Sequence, residues 1–311
     1  MKSTSHNKKF IYYIGLFTVI IIWGVDPVLM QKLYHHSSPS AITAIGSFLA
    51  AIFFTALSAK RLKGFNKTYL KTAIPISIIT SSACLLQKIG LKFTTPSTYA
   101  FLEYLSCLIV PIALFAFTRK KPKLLQLFSG VMCVVGVFIF CGVADGGFNV
   151  GLGEIMCGMA GVLFGVSIAS MGVFTKGLDI RLYMMAHLWV YCLYSVLVAF
   201  VLNFVSIGGE RVEPFHFDFD PLWILAIAAA AFILIGIGWF LRTEAIVKID
   251  PTVVSVMSPI TAIVTTALSV ALGFEKITKS LIIGAVIIIL AAVLSSLSSS
   301  EEPSENEKLQ T

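Results

Sequence analysis

Ten long apolar stretches alternate with short polar connectors along almost the whole chain: 10–31, 41–59, 72–91, 97–118, 124–143, 153–175, 182–205, 222–242, 252–273 and 280–297. A helix needs about 20 mostly apolar residues to cross a bilayer, and the stretches have that reach. The pattern predicts an all-α membrane protein with ten transmembrane helices. The first stretch follows MKSTSHNKKF directly. It is too long for a secretory leader and no small-residue cleavage site follows, so it reads as a retained span. The closing SSSEEPSENEKLQT is polar and acidic, and is expected to be disordered.

Composition points the same way. Of 311 residues 57% are hydrophobic and 13% charged, and the mean hydropathy is +0.91. A soluble domain is about a quarter charged, so too little charge remains for a water-facing surface. The net charge of +7 does not indicate nucleic acid, because the basic residues sit in short connectors rather than along one stripe. Their placement instead sets an orientation. With the N-terminus inside, all but six of the 23 Lys and Arg fall on the cytoplasmic side; the six are Lys32, Lys88, Lys92, Arg211, Lys276 and Lys279. Both termini are therefore expected in the cytoplasm of a cell-membrane protein, with the acidic 206–220 connector outside. All six cysteines lie in or beside apolar runs, without CxxC or Cys/His spacing, and read as packing residues with no metal or other cofactor.

The chain also repeats. Residues 91–123 can be laid without gaps on 247–279, and WGVDPVLM (23–30) matches FGVSIASM (164–171), which sets Asp26 opposite Ser167. Each half holds five spans. Since five is odd, the second copy enters from the opposite side, and inverted repeats of this kind are a feature of secondary transporters. The expected organisation is an N-tail (1–9), a first five-helix repeat (10–143), an outer connector (144–152), a second repeat (153–297) and a C-tail (298–311).

With these motifs the sequence resembles the drug/metabolite transporter superfamily, in particular its EamA type. The features are Trp23-Gly24 in the first span, Leu91-Lys92-Phe93-Thr94 and Val247-Lys248-Ile249-Asp250 leading into the fourth and ninth, and Gly273-Phe274-Glu275-Lys276-Ile277-Thr278 closing the ninth. The sequence departs from the pattern at Arg119-Lys120-Lys121, where a Glu-containing turn is common, and at Ala44-Ile45-Gly46, where an Arg is often found. The resemblance implies two inverted five-helix repeats around a central cavity lined by spans one, three, four, six, eight and nine. Spans five and ten would be peripheral, and access would alternate by rocking. It does not imply a substrate.

Two acids stand out within apolar stretches. Asp26 lies in the first span just before Pro27. A carboxylate at bilayer depth costs about 2.5–3.5 kcal/mol on insertion scales, and Pro27 removes one helical hydrogen bond. Asp26 either faces a water-filled path or reaches the headgroups and caps the disturbed backbone. Glu103 is its companion, on one helix face with Tyr99 and Ser106. Two such acids repel, and Lys88 is the cation expected beside Glu103. Trp23, Gln87, Ser167, Trp239 and Ser255 complete the candidate lining. Arg242 is expected in a solvated cytoplasmic group with Glu244 and Lys248, and His187 at the interface. Gly161–Gly165 forms a small-xxx-small pattern for close packing. The adjacent His35-His36 pair is too little for a metal site.

The leading functional expectation is a secondary transporter that exports a small polar metabolite, amino acids first, with coupling protons carried by the two acids. A membrane-embedded lipid-modifying enzyme is a different class, and it would need a reactive cluster. P-loop, HExxH and GxSxG motifs are absent, so no enzyme activity is expected. A scaffold or receptor would be indifferent to amide replacement of Asp26 and Glu103. The sequence leaves oligomeric state open.

Overall fold

The computed structural model describes residues 2–33, 36–90, 93–94, 96–143, 150–207, 210–211, 214–273 and 276–300. Expectations that fall on His35, Leu91, Lys92, Phe274, Glu275, 144–149 and 301–311 lie outside the described residues. The helices are α1 (Lys2–Leu33), α2 (Pro39–Ser58), α3 (Lys67–Gly90), α4 (Pro96–Glu103), α5 (Ser106–Thr118), α6 (Leu124–Phe140), α7 (Leu152–Phe174), α8 (Ile180–Leu202), α9 (Pro221–Ala231), α10 (Gly238–Lys248), α11 (Pro251–Met257), α12 (Ile260–Ala271) and α13 (Lys279–Ser300). A 3-10 turn, Ala59–Gly64, extends α2, and a π turn, Phe232–Ile237, joins α9 to α10. A two-residue antiparallel ladder, β1 (Ser206–Ile207) with β2 (Glu210–Arg211), lies in the connector after α8.

Local chemistry sets several helix starts. Asp179, Asp220 and Asp250 cap α8, α9 and α11, their carboxylates accepting from the backbone N–H of Arg181, Leu222 and Thr252 at 2.9, 2.8 and 2.7 Å. Pro221 and Pro251 follow two of these caps, where a missing N–H is no loss. Among the described residues, eight helical stretches are long and apolar enough to cross a membrane; Phe10–Asp26 and Leu124–Phe140 are shorter apolar helices. Side chains such as Leu193, Phe200 and Leu225 project from the bundle exposed, as a lipid-facing surface requires. The core gathers Leu16, Met171, Tyr183, Met184, Leu188 and Ile246.

Two of the apolar stretches are not continuous helices. The fourth breaks between α4 and α5 at Tyr104-Leu105, and the ninth between α11 and α12 at Ser258-Pro259. In the 91–123 on 247–279 register, Glu103 falls opposite Pro259, so the breaks sit at matching depth. Pro259 has no N–H to give its helix. In the first break, tighter turn bonds replace the helical ladder, with Cys107 N–H donating to Tyr104 O at 3.0 Å. By contrast, α1 runs as helix through Pro27 to Leu33.

The packing is symmetric pair by pair. Contacts of α7 with α3 are matched by those of α1 with α10, and α5 on α7 is matched by α12 on α1. The pairs α2–α8 and α6–α13 join the corresponding second and fifth helices of each half. The symmetry extends to single residues. A Cβ on Gly165 would lie 2.5 Å from Ile109, while the Gly24 carbonyl accepts a 2.8 Å hydrogen bond from Thr265. Gly24 is the repeat counterpart of Gly165, and Thr265 of Ile109.

Connectors of the same parity also meet. At one end Arg61 Nη1 donates to Asp179 Oδ2 at 2.5 Å, and Gln126 Nε2 to Asp250 Oδ2 at 3.3 Å. At the other end His36 Nδ1 lies 3.0 Å from Asp218 Oδ2, and the Thr94 hydroxyl donates to Glu154. There the His36 ring stacks on Trp223 at 3.6 Å, and Ser38 N–H donates to His216 O at 2.7 Å.

Candidate functional site

The centre of the bundle is built around a cation. Arg242 on α10 is 7% exposed. Its guanidinium lies 5.0 Å from the Trp23 ring centroid and 5.3 Å from that of Trp239. The two indoles meet edge to face, 5.5 Å apart at 63°, so one cation touches two aromatic faces. Trp23 is fixed from its other end. Its Nε1–H donates to Leu234 O at 3.1 Å, a carbonyl within the π turn, where the widened helix has backbone to spare. A Cβ at Gly238 would lie 2.6 Å from that indole nitrogen, so glycine makes room for the ring.

The expected solvated position of Arg242 is thus overturned, for a reason in the backbone. The eighth apolar stretch ends at residue 242, but α10 continues to Lys248. Arg242 therefore sits well over a turn inside the helix end, and a helical side chain leans back toward the N-terminus, here toward the middle of the bundle. The spacing of Trp239 and Arg242, three apart and so on one face, was the available signal. His187 is corrected likewise. It lies two turns into α8, is 1% exposed, and shares a 2.8 Å hydrogen bond with the Ser77 hydroxyl.

The acids take separate partners. Gln87 Nε2 on α3 donates to Glu103 Oε2 at 2.5 Å, and Glu103 is in electrostatic reach of Arg242 and Asp26. Asp26 in turn is in electrostatic reach of Lys88, whose ammonium donates to the Thr43 hydroxyl on α2. Lys88 therefore reaches α2 through Thr43 and acts on Asp26. Two carboxylates and two cations thus share the interior, which lowers the cost of holding any one of them there. Glu103 ends α4 at the break in the fourth span, where the turn interrupts the Tyr99–Glu103–Ser106 stripe: Tyr99 is half-buried on α4 and Ser106 buried at the start of α5.

The remaining candidates are less central. The Ser167 hydroxyl, 2% exposed, shares a 2.5 Å hydrogen bond with Thr80. Ser255 donates to Thr252 O on its own helix at 2.8 Å, so its hydroxyl is satisfied locally. A model of the EamA-like transporter family matches residues 10–142 and 153–297, nearly the whole chain. The chain belongs to the EamA-like transporter family.

A curated relative of this EamA-like chain, an uncharacterized transporter of Archaeoglobus fulgidus, is 24% identical over 169 residues. The match covers 54% of this chain and 51% of the relative, so the chain spans about half the length of that relative. A solved structure described only as the crystal structure of a protein has the same fold, with TM-score 0.73 at 16% identity over 93% of this chain and 99% of the other. Family and helices together make this a multi-pass membrane protein of a transporter family.

In the EamA-like chain a cavity of about 30 Å³ opens between α2, α3 and α8, lined by Thr43, Ser81, Cys84, Lys88 and Tyr191 among others. It lies beside the Trp23–Arg242–Glu103 centre, because Tyr191 also faces Trp239 at 6.4 Å between ring centroids. The resemblance had implied a cavity without spans two and seven, and this one uses both. Among the described residues no group of three or more His, Cys, Asp or Glu could hold a metal, and the six cysteines are free thiols.

Proposed function

We propose that this EamA-like protein is a secondary active transporter that exports small polar metabolites such as amino acids by alternating access, with protons as the coupling ion. In this reading all ten helical stretches cross the cell membrane, as inverted repeats 10–143 and 153–297, with both termini cytoplasmic. The observation that carries it is the set of four interior charges, Asp26 with Lys88 and Glu103 with Arg242, next to a helix break. Buried charge of this kind is costly in lipid and is kept where a path needs it. Broken helices in corresponding places of two halves are where such carriers hold their cargo.

Trp23, Asp26, Gln87, Lys88, Tyr99, Glu103, Ser167, Trp239 and Ser255 are the cargo-contacting or coupling residues of this reading, joined now by Arg242. Asp26 and Glu103 carry the proton, since loading one acid with a proton releases its cationic neighbour and alters which contacts hold the halves together. The test is transport by purified protein in proteoliposomes under an imposed pH gradient. Flux that follows the gradient, and falls in Asp26→Asn and Glu103→Gln, supports the reading. Flux indifferent to the gradient removes proton coupling, and no flux for any small polar metabolite removes the transporter.

A further inference from the structure

We infer that the α2–α3–α8 cavity is a binding site for a small anion, either an inorganic anion such as chloride or the carboxylate end of a cargo molecule. Its lining carries one cation, Lys88, and no Asp or Glu among the described residues. Around Lys88 stand the hydroxyls of Ser40, Thr43, Ser81 and Tyr191 and the thiol of Cys84. Hydroxyls can turn their protons toward an anion, whereas an ammonium cannot accept from a cation. The chemistry therefore favours negative charge.

Two further observations point to an occupant. Ser81 is 4% exposed, and its hydroxyl has no hydrogen-bond partner among the described residues although it lines the cavity. A buried hydroxyl left unsatisfied costs about 1–3 kcal/mol, a cost an anion would remove. Second, Ser40 and Thr43 belong to the first turns of α2. The cavity thus joins the N-terminal turns of α2, which favour an anion, to the last turns of α3 at Lys88 and of α8 at Val198 and Ala199. There the Lys88 ammonium offsets the helix ends.

Size narrows the class. One water-sized group needs about 10–15 Å³ of such space, so about 30 Å³ admits a chloride ion or a carboxylate and excludes a whole metabolite. Asp26, in electrostatic reach of Lys88, balances the ammonium when the cavity is empty. Filling the cavity would draw Lys88 from Asp26 and from Thr43, which links occupancy to the interior charges. That last consequence rests on the proposed transport reading; binding itself does not.

The experiment is thermal unfolding of the full-length protein in detergent, titrated with sodium acetate, sodium chloride and, as a control whose anionic group is itself too bulky and which carries no carboxylate, sodium benzenesulfonate at constant ionic strength. A saturable rise in midpoint on the order of a few degrees is expected with acetate or chloride and not with benzenesulfonate. The rise should vanish in Lys88→Met, weaken at least fivefold in apparent affinity in Ser81→Ala, and persist in Lys120→Met, an exposed connector variant. Acetate acting alone identifies a carboxylate site, and both acting identifies a general small-anion site. No saturable shift in the wild-type protein, or one unchanged in Lys88→Met and Ser81→Ala, overturns the inference. Ser81→Ala keeps the test decisive where Lys88→Met does not fold. Because binding is read without flux, a failure here leaves the transport proposal standing, and the reverse also holds.

Discussion

The guanidinium of Arg242 rests 5.0 Å from the ring centroid of Trp23, so a cation on α10 is held on an indole of α1. The contact joins α10 to α1 at the centre of the bundle, and Glu103 lies within its electrostatic reach. Replacing Arg242 with Met should leave Glu103 without its cation. Arg242→Met also removes the contacts on the Trp23 and Trp239 rings, each worth about 0.5–2 kcal/mol, so a fall in the unfolding midpoint is expected. Adding Glu103→Gln should recover part of that stability without recovering transport. Arg242→Lys should recover little, since a compact ammonium cannot lie flat against two indoles.

Close packing on α7 gives a sharp internal contrast. A Cβ on Gly161 would lie 2.2 Å from the Leu102 carbonyl, whereas one on Gly158 meets nothing within 4 Å. Gly161→Ala should push the broken fourth span off α7 and cost about 1–3 kcal/mol. Gly158→Ala should be neutral or slightly stabilising, because alanine favours helix. Unfolding midpoints of the two variants measured side by side check this.

Much of this was legible in the sequence, but not its depth. The alternation of apolar and polar runs located the helices, and the weak match between WGVDPVLM and FGVSIASM placed Gly24 against Gly165. Both glycines do sit at matching contacts with the fourth and ninth spans. Arg242 and His187 were misplaced because an apolar window stops where a charge begins, while the helix and the lean of its side chains carry that charge inward. The breaks at Tyr104-Leu105 and Ser258-Pro259 were invisible for another reason. Hydrophobicity records what a residue is made of, and says nothing of which carbonyl its N–H reaches. Cavity position depends on how three helices splay, which no spacing within one of them encodes.

The buried histidine makes a second packing test. His187 shares a hydrogen bond with the Ser77 hydroxyl, and its Nε2 has no partner among the described residues. Ser77→Ala removes the hydroxyl and leaves a second ring nitrogen unsatisfied, at about 1–3 kcal/mol. Adding His187→Phe, which takes away the polar ring altogether, should restore much of the loss. The readout is again the unfolding midpoint of single and double variants.

The contact between the α1–α2 and α8–α9 connectors carries a pH dependence. The hydrogen bond from His36 holds the Asp218 carboxyl below its usual value. A depressed acid contributes stability above its unfolded pKa and loses it as pH falls through the folded one. The contact between residues 36–38 and 216–218 should therefore be intact at neutral pH and loosen as the pH falls into the acid range. Hydrogen exchange at the Ser38 amide, bonded to His216 O, reports it. Asp218→Asn should exchange faster than wild type at neutral pH, and the difference should vanish in acid.

The central claim is that the interior charges serve the movement of cargo. Its most direct test is the metabolite profile of medium and cytosol from cells overproducing the protein, beside cells producing Asp26→Asn or Glu103→Gln at equal membrane abundance. The account predicts that at least one small polar metabolite leaves the cytosol and accumulates in the medium with the wild-type protein and stays inside with either variant. Profiles that do not differ between wild type and both variants would contradict it.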